Sequence, residues 1–96
     1  IADMAAKLAA ARELVYHAAV LKDANDPQAG MTCSMAKYFA SETCNEIAAK
    51  AVQIHGGYGY MKEYRVERLY RDCRVFTIYE GTSQVQQMVI SGALLK

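Results

Sequence analysis

The stretch that organises this chain is Ile78-Tyr79-Glu80-Gly81-Thr82-Ser83-Gln84, residues 78–84. A short apolar run ends at Glu80, Gly81 allows the chain to turn, and Thr82 and Ser83 are residue types that cap a new helix. Glu80 is therefore a carboxylate on a joint between two elements. It is a candidate general base, since desolvation by apolar neighbours makes a carboxylate more basic. The alternative is an acid that only complements the dipole of the helix that it precedes.

The segments on either side of this joint follow the helical period. A helix is predicted from Thr82 or Ser83 to Leu95, in which Ser83 and Gln86 match a capping box. Before the joint, a shorter helix is predicted from Glu63 to Arg74. Arginines recur along it every three residues, but acids interleave, so solvated ion pairs are favoured over a phosphate or RNA contact. The apolar stripe of the last helix comprises Val85, Met88, Val89 and Leu95.

Two longer helices come first. One is predicted from Ile1 to about Asp23, and the turn chemistry of Asn25-Asp26-Pro27 separates it from a second helix, which runs from Gln28 or Met31 to His55. The second helix is rich in alanine, which permits close approach of neighbours, so we expect it to be the most buried. Ion pairs four residues apart are predicted for Asp3 with Lys7 and for Glu46 with Lys50. The fold class is therefore all-α, an antiparallel helical bundle with no strand.

Composition excludes several function classes. The chain has 96 residues, is 53% hydrophobic and has a formal net charge of +1. The charge provides no field that attracts nucleic acid, and no apolar run approaches the ~20 residues of a membrane span. The odd number of widely spaced cysteines argues against a disulfide framework and favours a reducing compartment. The cysteines and histidines also lack the spacing of metal ligands, so no metal site is predicted.

A second candidate site is the glycine-rich stretch Gly56-Gly57-Tyr58-Gly59-Tyr60. Glycines end a helix where the chain enters the left-handed region. They also expose backbone N–H groups and allow a flat or anionic ligand to approach closely. A plain turn is the alternative, because the order of the glycines is not that of a dinucleotide fingerprint.

Taken together, these motifs resemble the acyl-CoA dehydrogenase family. The matching stretches cover nearly the whole chain: Ala2-Asp3-Met4, Ala10-Ala11-Arg12, Gln53-Ile54-His55-Gly56-Gly57-Tyr58-Gly59-Tyr60, Tyr64, Val66-Glu67-Arg68, Tyr70-Arg71-Asp72 and Ile78-Tyr79-Glu80-Gly81-Thr82-Ser83-Gln84-Val85-Gln86. Arg65 departs from the family, where a proline often follows the tyrosine, and this leaves the start of the third helix in question.

The resemblance implies a domain assignment. Members of the family have an N-terminal helical domain, a middle β domain and a C-terminal four-helix bundle. Residues 1–96 look like part of that C-terminal domain, without roughly its first long helix. The chain alone is then expected to be inactive and to expose a large apolar face. The competing hypothesis is a non-catalytic helical module that keeps the fold for oligomerisation or partner binding.

The resemblance also implies a function, the α,β-dehydrogenation of acyl-CoA thioesters with FAD as cofactor. Glu80 is at the position of the family's α-proton-abstracting base, and Gly81 is expected beside the substrate. Electron-transfer flavoprotein is the expected electron acceptor, in the cytoplasm of a bacterium or the mitochondrial matrix of a eukaryote. Residues expected near FAD are Thr82, Ser83 and Gln84 and, toward a neighbouring subunit of a dimer or tetramer, Gln53, Ile54, His55, Gly56 and Gly57.

Overall fold

The computed structural model describes all 96 residues and contains four helices and no strand. The helices are α1 (Ala2–Asp23), α2 (Ala29–His55), α3 (Val66–Cys73) and α4 (Ser83–Leu94), with 3₁₀ turns at Gly56–Tyr60 and Arg74–Thr77. The predicted all-α class is confirmed. The prediction that the third helix begins at Glu63 is wrong by three residues. A separate turn, in which Tyr64 N–H donates to Met61 O at 3.2 Å, comes before α3.

The 27-residue helix α2 is the centre of the molecule, because α1, α3, α4 and both 3₁₀ turns pack against it. Helix α1 runs antiparallel to α2, as shown by the pairing of Lys7 with Glu46 and of Lys50 with Asp3. Helix α4 is also antiparallel to α2, since α4 residues pair with α2 residues in reverse order. The α4–α2 pairs are Ser83 with Glu42 and Gln87 with Tyr38.

The connection between α1 and α2 has the turn chemistry expected of it. Asn25 adopts a left-handed φ of 53°, which asparagine tolerates better than most residues. The Asp26 carboxylate accepts a hydrogen bond from Gln28 N–H at 2.8 Å. These local bonds reverse the chain within a few residues and bring α1 back along α2.

An exposed cluster of four charges joins α1 to α2. Both predicted ion pairs form, with Asp3–Lys7 and Glu46–Lys50 each at 3.4 Å, and the cross-helix pairs complete the cluster. The hydrogen bond from Lys50 lowers the pKa of the Asp3 carboxyl, and that from Lys7 lowers the pKa of Glu46. The same bonds raise the pKa of both lysines.

The core is thin. Only 12 of 96 residues are buried, and the radius of gyration of 15.5 Å exceeds the roughly 13 Å of a compact chain of this size. An open apolar groove of about 560 Å³ lies between α1, α2 and α3, and its walls include Leu8, Val15 and Leu69. The expected apolar face is therefore present. No helix is both long and apolar enough to cross a membrane.

The apolar stripe of helix α4 is exposed, and Met88 in particular is 71% exposed. The helix contacts α2 instead through polar groups at its start, where Ser83 is buried and Gln87 reaches Tyr38. The apolar side chains left exposed are Val85, Met88, Val89 and Leu95.

Candidate active site

The loop that carries Glu80 connects the 3₁₀ turn Arg74–Thr77 to α4. Glu80 has a φ of 54° and Gly81 a φ of 93°, so two consecutive residues are left-handed. For a residue other than glycine this conformation costs about 1–2 kcal/mol. Strain of this kind persists only where surrounding structure imposes it, and it is concentrated at functional sites.

The Glu80 side chain is exposed and takes part in none of the salt bridges. The sequence predicts a carboxylate that apolar neighbours desolvate, and these 96 residues do not supply that environment. The aromatic neighbours are present, with the rings of Phe76 and Tyr79 at 5.9 Å, but they are themselves partly exposed. Any desolvation of Glu80 must come from groups outside this chain.

The start of α4 is capped by Thr82, whose Oγ1 accepts a hydrogen bond from Val85 N–H at 3.1 Å. The predicted capping box of Ser83 and Gln86 does not form. Ser83 is one residue too late to cap, and its buried hydroxyl donates to Glu42 Oε1 at 2.5 Å. The Gln86 amide lies 3.4 Å from the carbonyl oxygens of Glu80 and Gly81. The first turn of α4 is thus held by α2 as well as by its own cap.

Three polar side chains of α2 form a stripe toward this loop. Lys37 Nζ donates to Phe76 O at 2.8 Å and to Gly81 O at 2.6 Å. Asn45 Nδ2 donates to Cys73 O at 2.9 Å, and Ser41 lies buried between the two. None of these contacts is predicted from the sequence. The signal was the spacing of Lys37, Ser41 and Asn45, which places polar groups on one face of an otherwise apolar, alanine-rich helix.

Beside the loop lies an open groove of about 550 Å³ whose walls are largely polar. Hydroxyl, amide, carboxylate and guanidinium groups surround it, so it can offer donors and acceptors to a polar ligand. Three of the predicted FAD-contacting residues meet here, although Glu80 itself is not on the wall. The polar wall residues include Glu42, Asn45, Tyr70, Arg74, Thr82, Ser83 and Gln84.

The glycine-rich turn follows α2 directly. Gly56, with a φ of 64°, ends the helix as predicted. Gly59 is buried, and a Cβ there would come within 2.5 Å of Val52 O, so this glycine is required by packing. A Cβ on Gly57 would meet nothing within 4 Å. Gly57 therefore leaves open space that a ligand from outside the chain could use.

None of the predicted FAD residues Gln53–Gly57 lines the polar groove at Ser83. They are all exposed at the end of α2. The α2 wall of the groove extends to Ala49, and with a rise of 1.5 Å per residue Gln53 lies about 6 Å beyond it along the helix. No cluster of three metal-ligating side chains is found.

Comparison with known proteins gives a consistent picture. The family model described as "Acyl-CoA dehydrogenase, C-terminal domain" matches residues 1–95. The chain is 76% identical over all its 96 residues to the caffeyl-CoA reductase-Etf complex subunit CarC of Acetobacterium woodii, and 58% identical to the 3-(aryl)acrylate reductase of Clostridium sporogenes. It covers 25% of each of those two proteins.

The fold is similar to that of butyryl-CoA dehydrogenase from Megasphaera elsdenii, with a TM-score of 0.94 and 47% identity. That match covers 99% of this chain and 24% of the other. The chain therefore spans about a quarter of the length of the relatives that it matches.

Proposed function

This chain belongs to the acyl-CoA dehydrogenase family, and we propose that residues 1–96 are part of the C-terminal helical domain of an FAD-dependent oxidoreductase acting on acyl-CoA thioesters. The observation that carries the proposal is the loop at Glu80. It holds a carboxylate on a strained, left-handed backbone, next to the polar groove formed by Thr82, Ser83 and Gln84. Without the rest of the protein, the chain is expected to be inactive.

In the proposed reaction, Glu80 removes the α-proton of the thioester. The chemistry that a bound FAD would supply is acceptance of the hydride from the β-carbon. Gly81 is proposed to lie beside the thioester. A side chain is disfavoured there, because φ is 93° and a Cβ would come within 2.6 Å of Gln86 Nε2. The Thr82 hydroxyl is engaged as a helix cap and the Ser83 hydroxyl is bound to Glu42. The exposed side chain of Gln84 is therefore the freest of the three to contact the cofactor.

The replacement Glu80→Gln in the full-length enzyme tests this role. Glutamine keeps the size of the side chain but cannot accept the α-proton. Loss of a positioned base typically slows catalysis by ~100- to 10,000-fold, while FAD and acyl-CoA binding should remain. The measurement is anaerobic flavin bleaching after rapid mixing with a saturated acyl-CoA.

The matched control is Glu63→Gln, which removes an exposed acid from the turn before α3. It should leave the bleaching rate unchanged. If Glu80→Gln bleached its flavin within about tenfold of the wild-type rate, Glu80 would be a structural residue and the base would lie elsewhere in the protein.

The physiological direction that we favour is reduction of an α,β-unsaturated thioester. Two relatives, at 76% and 58% identity, are named as reductases, and their names specify caffeyl-CoA and 3-(aryl)acrylate. In that direction protonated Glu80 would return a proton to the α-carbon, and a bound reduced FAD would supply the hydride for the β-carbon. One hydride and one proton thus saturate the double bond, and Glu80 recovers its ionised form.

An aryl-substituted acrylyl-CoA is the corresponding substrate class. Reduced full-length enzyme should be reoxidised by cinnamoyl-CoA with a kcat/KM at least about tenfold above that for crotonyl-CoA, a ratio within reach of differences in apolar contact. Equal values for the two thioesters would contradict the aryl preference and leave the role of Glu80 intact.

We also propose that the full-length protein is a homo-oligomer, a dimer or tetramer, and that it exchanges electrons with an electron-transfer flavoprotein. The exposed Gln53–Gly57 turn, none of whose residues lines the chain's own Ser83 groove, supports contact with the FAD of a neighbouring subunit. The relative from Acetobacterium woodii is named as a subunit of an Etf complex. Sedimentation of the full-length protein as a monomer would contradict the first part, and failure to exchange electrons with the flavoprotein would contradict the second.

A further inference from the structure

We propose that Lys37 is a positioning residue for Glu80, holding the catalytic loop in shape by clamping the backbone on both sides of it. The inference rests on the proposed function, because it gives Lys37 a role only if Glu80 is the base. The Lys37 ammonium donates to Phe76 O, four residues before Glu80, and to Gly81 O, the residue after it. The two bonds at 2.8 Å and 2.6 Å close the loop around the carboxylate.

The bond to Phe76 acts on a helix end. Helix α3 continues without a break into the 3₁₀ turn Arg74–Thr77, and the last carbonyls of a helix have no partner within it. A positive charge is stabilising at this end, where the helix dipole is negative. The helix dipole therefore stabilises the Lys37 ammonium at Phe76 O. This hydrogen bond fixes the backbone at the start of the loop.

The bond to Gly81 acts on the strained part of the loop. Glu80 and Gly81 are both left-handed, at φ of 54° and 93°, and Glu80 would otherwise relax to a more favourable region. The Gln86 amide also contacts this part of the backbone, at 3.4 Å from the carbonyl oxygens of both Glu80 and Gly81. The shorter, charge-assisted bond from Lys37 is the stronger restraint.

Lys37 acts on Glu80 through the backbone. Its ammonium takes part in no salt bridge with any carboxylate, and its contacts are the two carbonyl oxygens. The side chain comes from the central helix α2 and is half-buried, so its position is set by the most firmly packed element of the chain. Removal of the ammonium should release the loop and leave the chemistry of the carboxylate intact.

The test uses the full-length enzyme with Lys37→Met, which keeps the length of the side chain and removes its donors. A misplacement of about 1 Å can cost about 100-fold in rate, so we expect kcat to fall about 10- to 100-fold while KM for acyl-CoA and FAD content stay within about threefold. Lys37→Arg, which keeps a charged donor, should restore kcat to within about tenfold of wild type. Lys37→Gln, a neutral donor, should fall between the two.

Lys22→Met is the matched control, because Lys22 is an exposed lysine at the end of α1 and should be silent. If Lys37→Met does not fold, the proposal is tested by whether kcat of the Lys37→Arg variant is higher than kcat of the Lys37→Gln variant. The proposal is overturned by a Met variant with kcat within about threefold of wild type, by equal loss in the Arg and Gln variants, or by a kcat loss that only follows loss of FAD. An active Glu80→Gln variant overturns both proposals, Glu80 as the base and Lys37 as its positioning residue. An inactive Glu80→Gln variant together with an unaffected Lys37→Met variant overturns only the role of Lys37.

Discussion

Glu80, the proposed base, has an unfavourable backbone conformation. Only two residues other than glycine have a positive φ, Asn25 at 53° and Glu80 at 54°. Asparagine is common in the left-handed region because its short side chain can hydrogen-bond locally, and Asn25 lies in an ordinary turn. Glutamate has no such advantage, so its presence at this angle supports the proposed role of the carboxylate.

Replacing Glu80 by glycine should therefore stabilise the protein while abolishing turnover. Glycine removes a strain of about 1–2 kcal/mol and loses part of that through the greater freedom of the unfolded chain. A net gain of about 0.5–1 kcal/mol is expected, measured as a higher denaturation midpoint of the full-length protein. Asn25→Gly, at nearly the same φ, is the control and should gain less. A lower midpoint for Glu80→Gly would show that the side chain stabilises the loop.

Gly57 provides a test of the glycine-rich turn in which packing and ligand binding are separable. A side chain at Gly57 meets nothing in this chain, so Gly57→Leu should leave the fold unchanged and lower FAD retention in the full-length enzyme. Flavin absorbance per protein after gel filtration measures the loss. Gly59→Leu is the contrasting variant, since its Cβ would clash with Val52 O and should destabilise the protein itself. Full flavin content in the Gly57 variant would show that the turn does not face the cofactor.

At the scale of the helices, the sequence predicted what is local and missed what is distant. The helix ending at Gly56 and the turn at Asn25 follow from periodicity and residue type within a few positions. The sequence favours Ser83 as part of the cap of α4, because the actual partner of its hydroxyl, Glu42, is 41 residues away. Lys37 was missed for the same reason, as its acceptors lie 39 and 44 residues further on. Neither distance leaves a periodic signal.

The candidate site was predictable in one respect and not in another. The two motifs specify the family because their residues and separation occur together. The exposure of Glu80 was not foreseen, because burial depends on which other surfaces cover the loop. Helix α4 shows the same limit, since an apolar stripe indicates that a face is to be covered but not by which partner.

The four-charge cluster between α1 and α2 should make their association sensitive to pH. The lowered pKa values of Asp3 and Glu46 mean that their contribution to stability is present above the usual carboxyl range, about pH 4. It is lost as the pH falls through their lowered pKa values. The raised pKa values of Lys7 and Lys50 mean that their contribution is complete below about pH 10 and is lost as the pH rises further.

Urea midpoints of the 96-residue chain, followed by circular dichroism, should therefore be highest between about pH 5 and pH 10. The double replacement of Lys7 and Lys50 by methionine should reduce the fall of the urea midpoint at acid pH. Added salt should do the same because the cluster is exposed. Arg68→Met, which breaks a separate exposed pair with Asp72 at 3.5 Å, is the control. If the double replacement left the fall of the urea midpoint at acid pH unchanged, other carboxyl groups would determine that fall.

At the scale of the whole molecule, the chain is an elongated layer of helices, 49 Å by 23 Å by 20 Å, that leaves apolar side chains on its surface. Exposed apolar patches of this kind usually meet a partner. The 96-residue chain in isolation should accordingly self-associate at micromolar concentration, which sedimentation velocity would detect.

Leu8→Glu and Val15→Glu place charges in the apolar groove and should shift the chain toward monomer. Leu95→Glu, at an 85% exposed residue away from the groove, should have a smaller effect. A stable wild-type monomer would contradict the expected association.

Because every helix docks on α2, the order of docking in time follows from the chain. The α1–α2 hairpin closes through a short turn, whereas the loop at Glu80 must close intervals of 39 to 44 residues. Closure entropy grows with length, so the hairpin should form first, and pulsed hydrogen exchange during refolding should protect α1 and α2 before α4. During synthesis α2 then emerges from the ribosome ahead of the residues that cover its other side. The polar side chains of Lys37, Ser41 and Asn45 lie on that still uncovered face of α2.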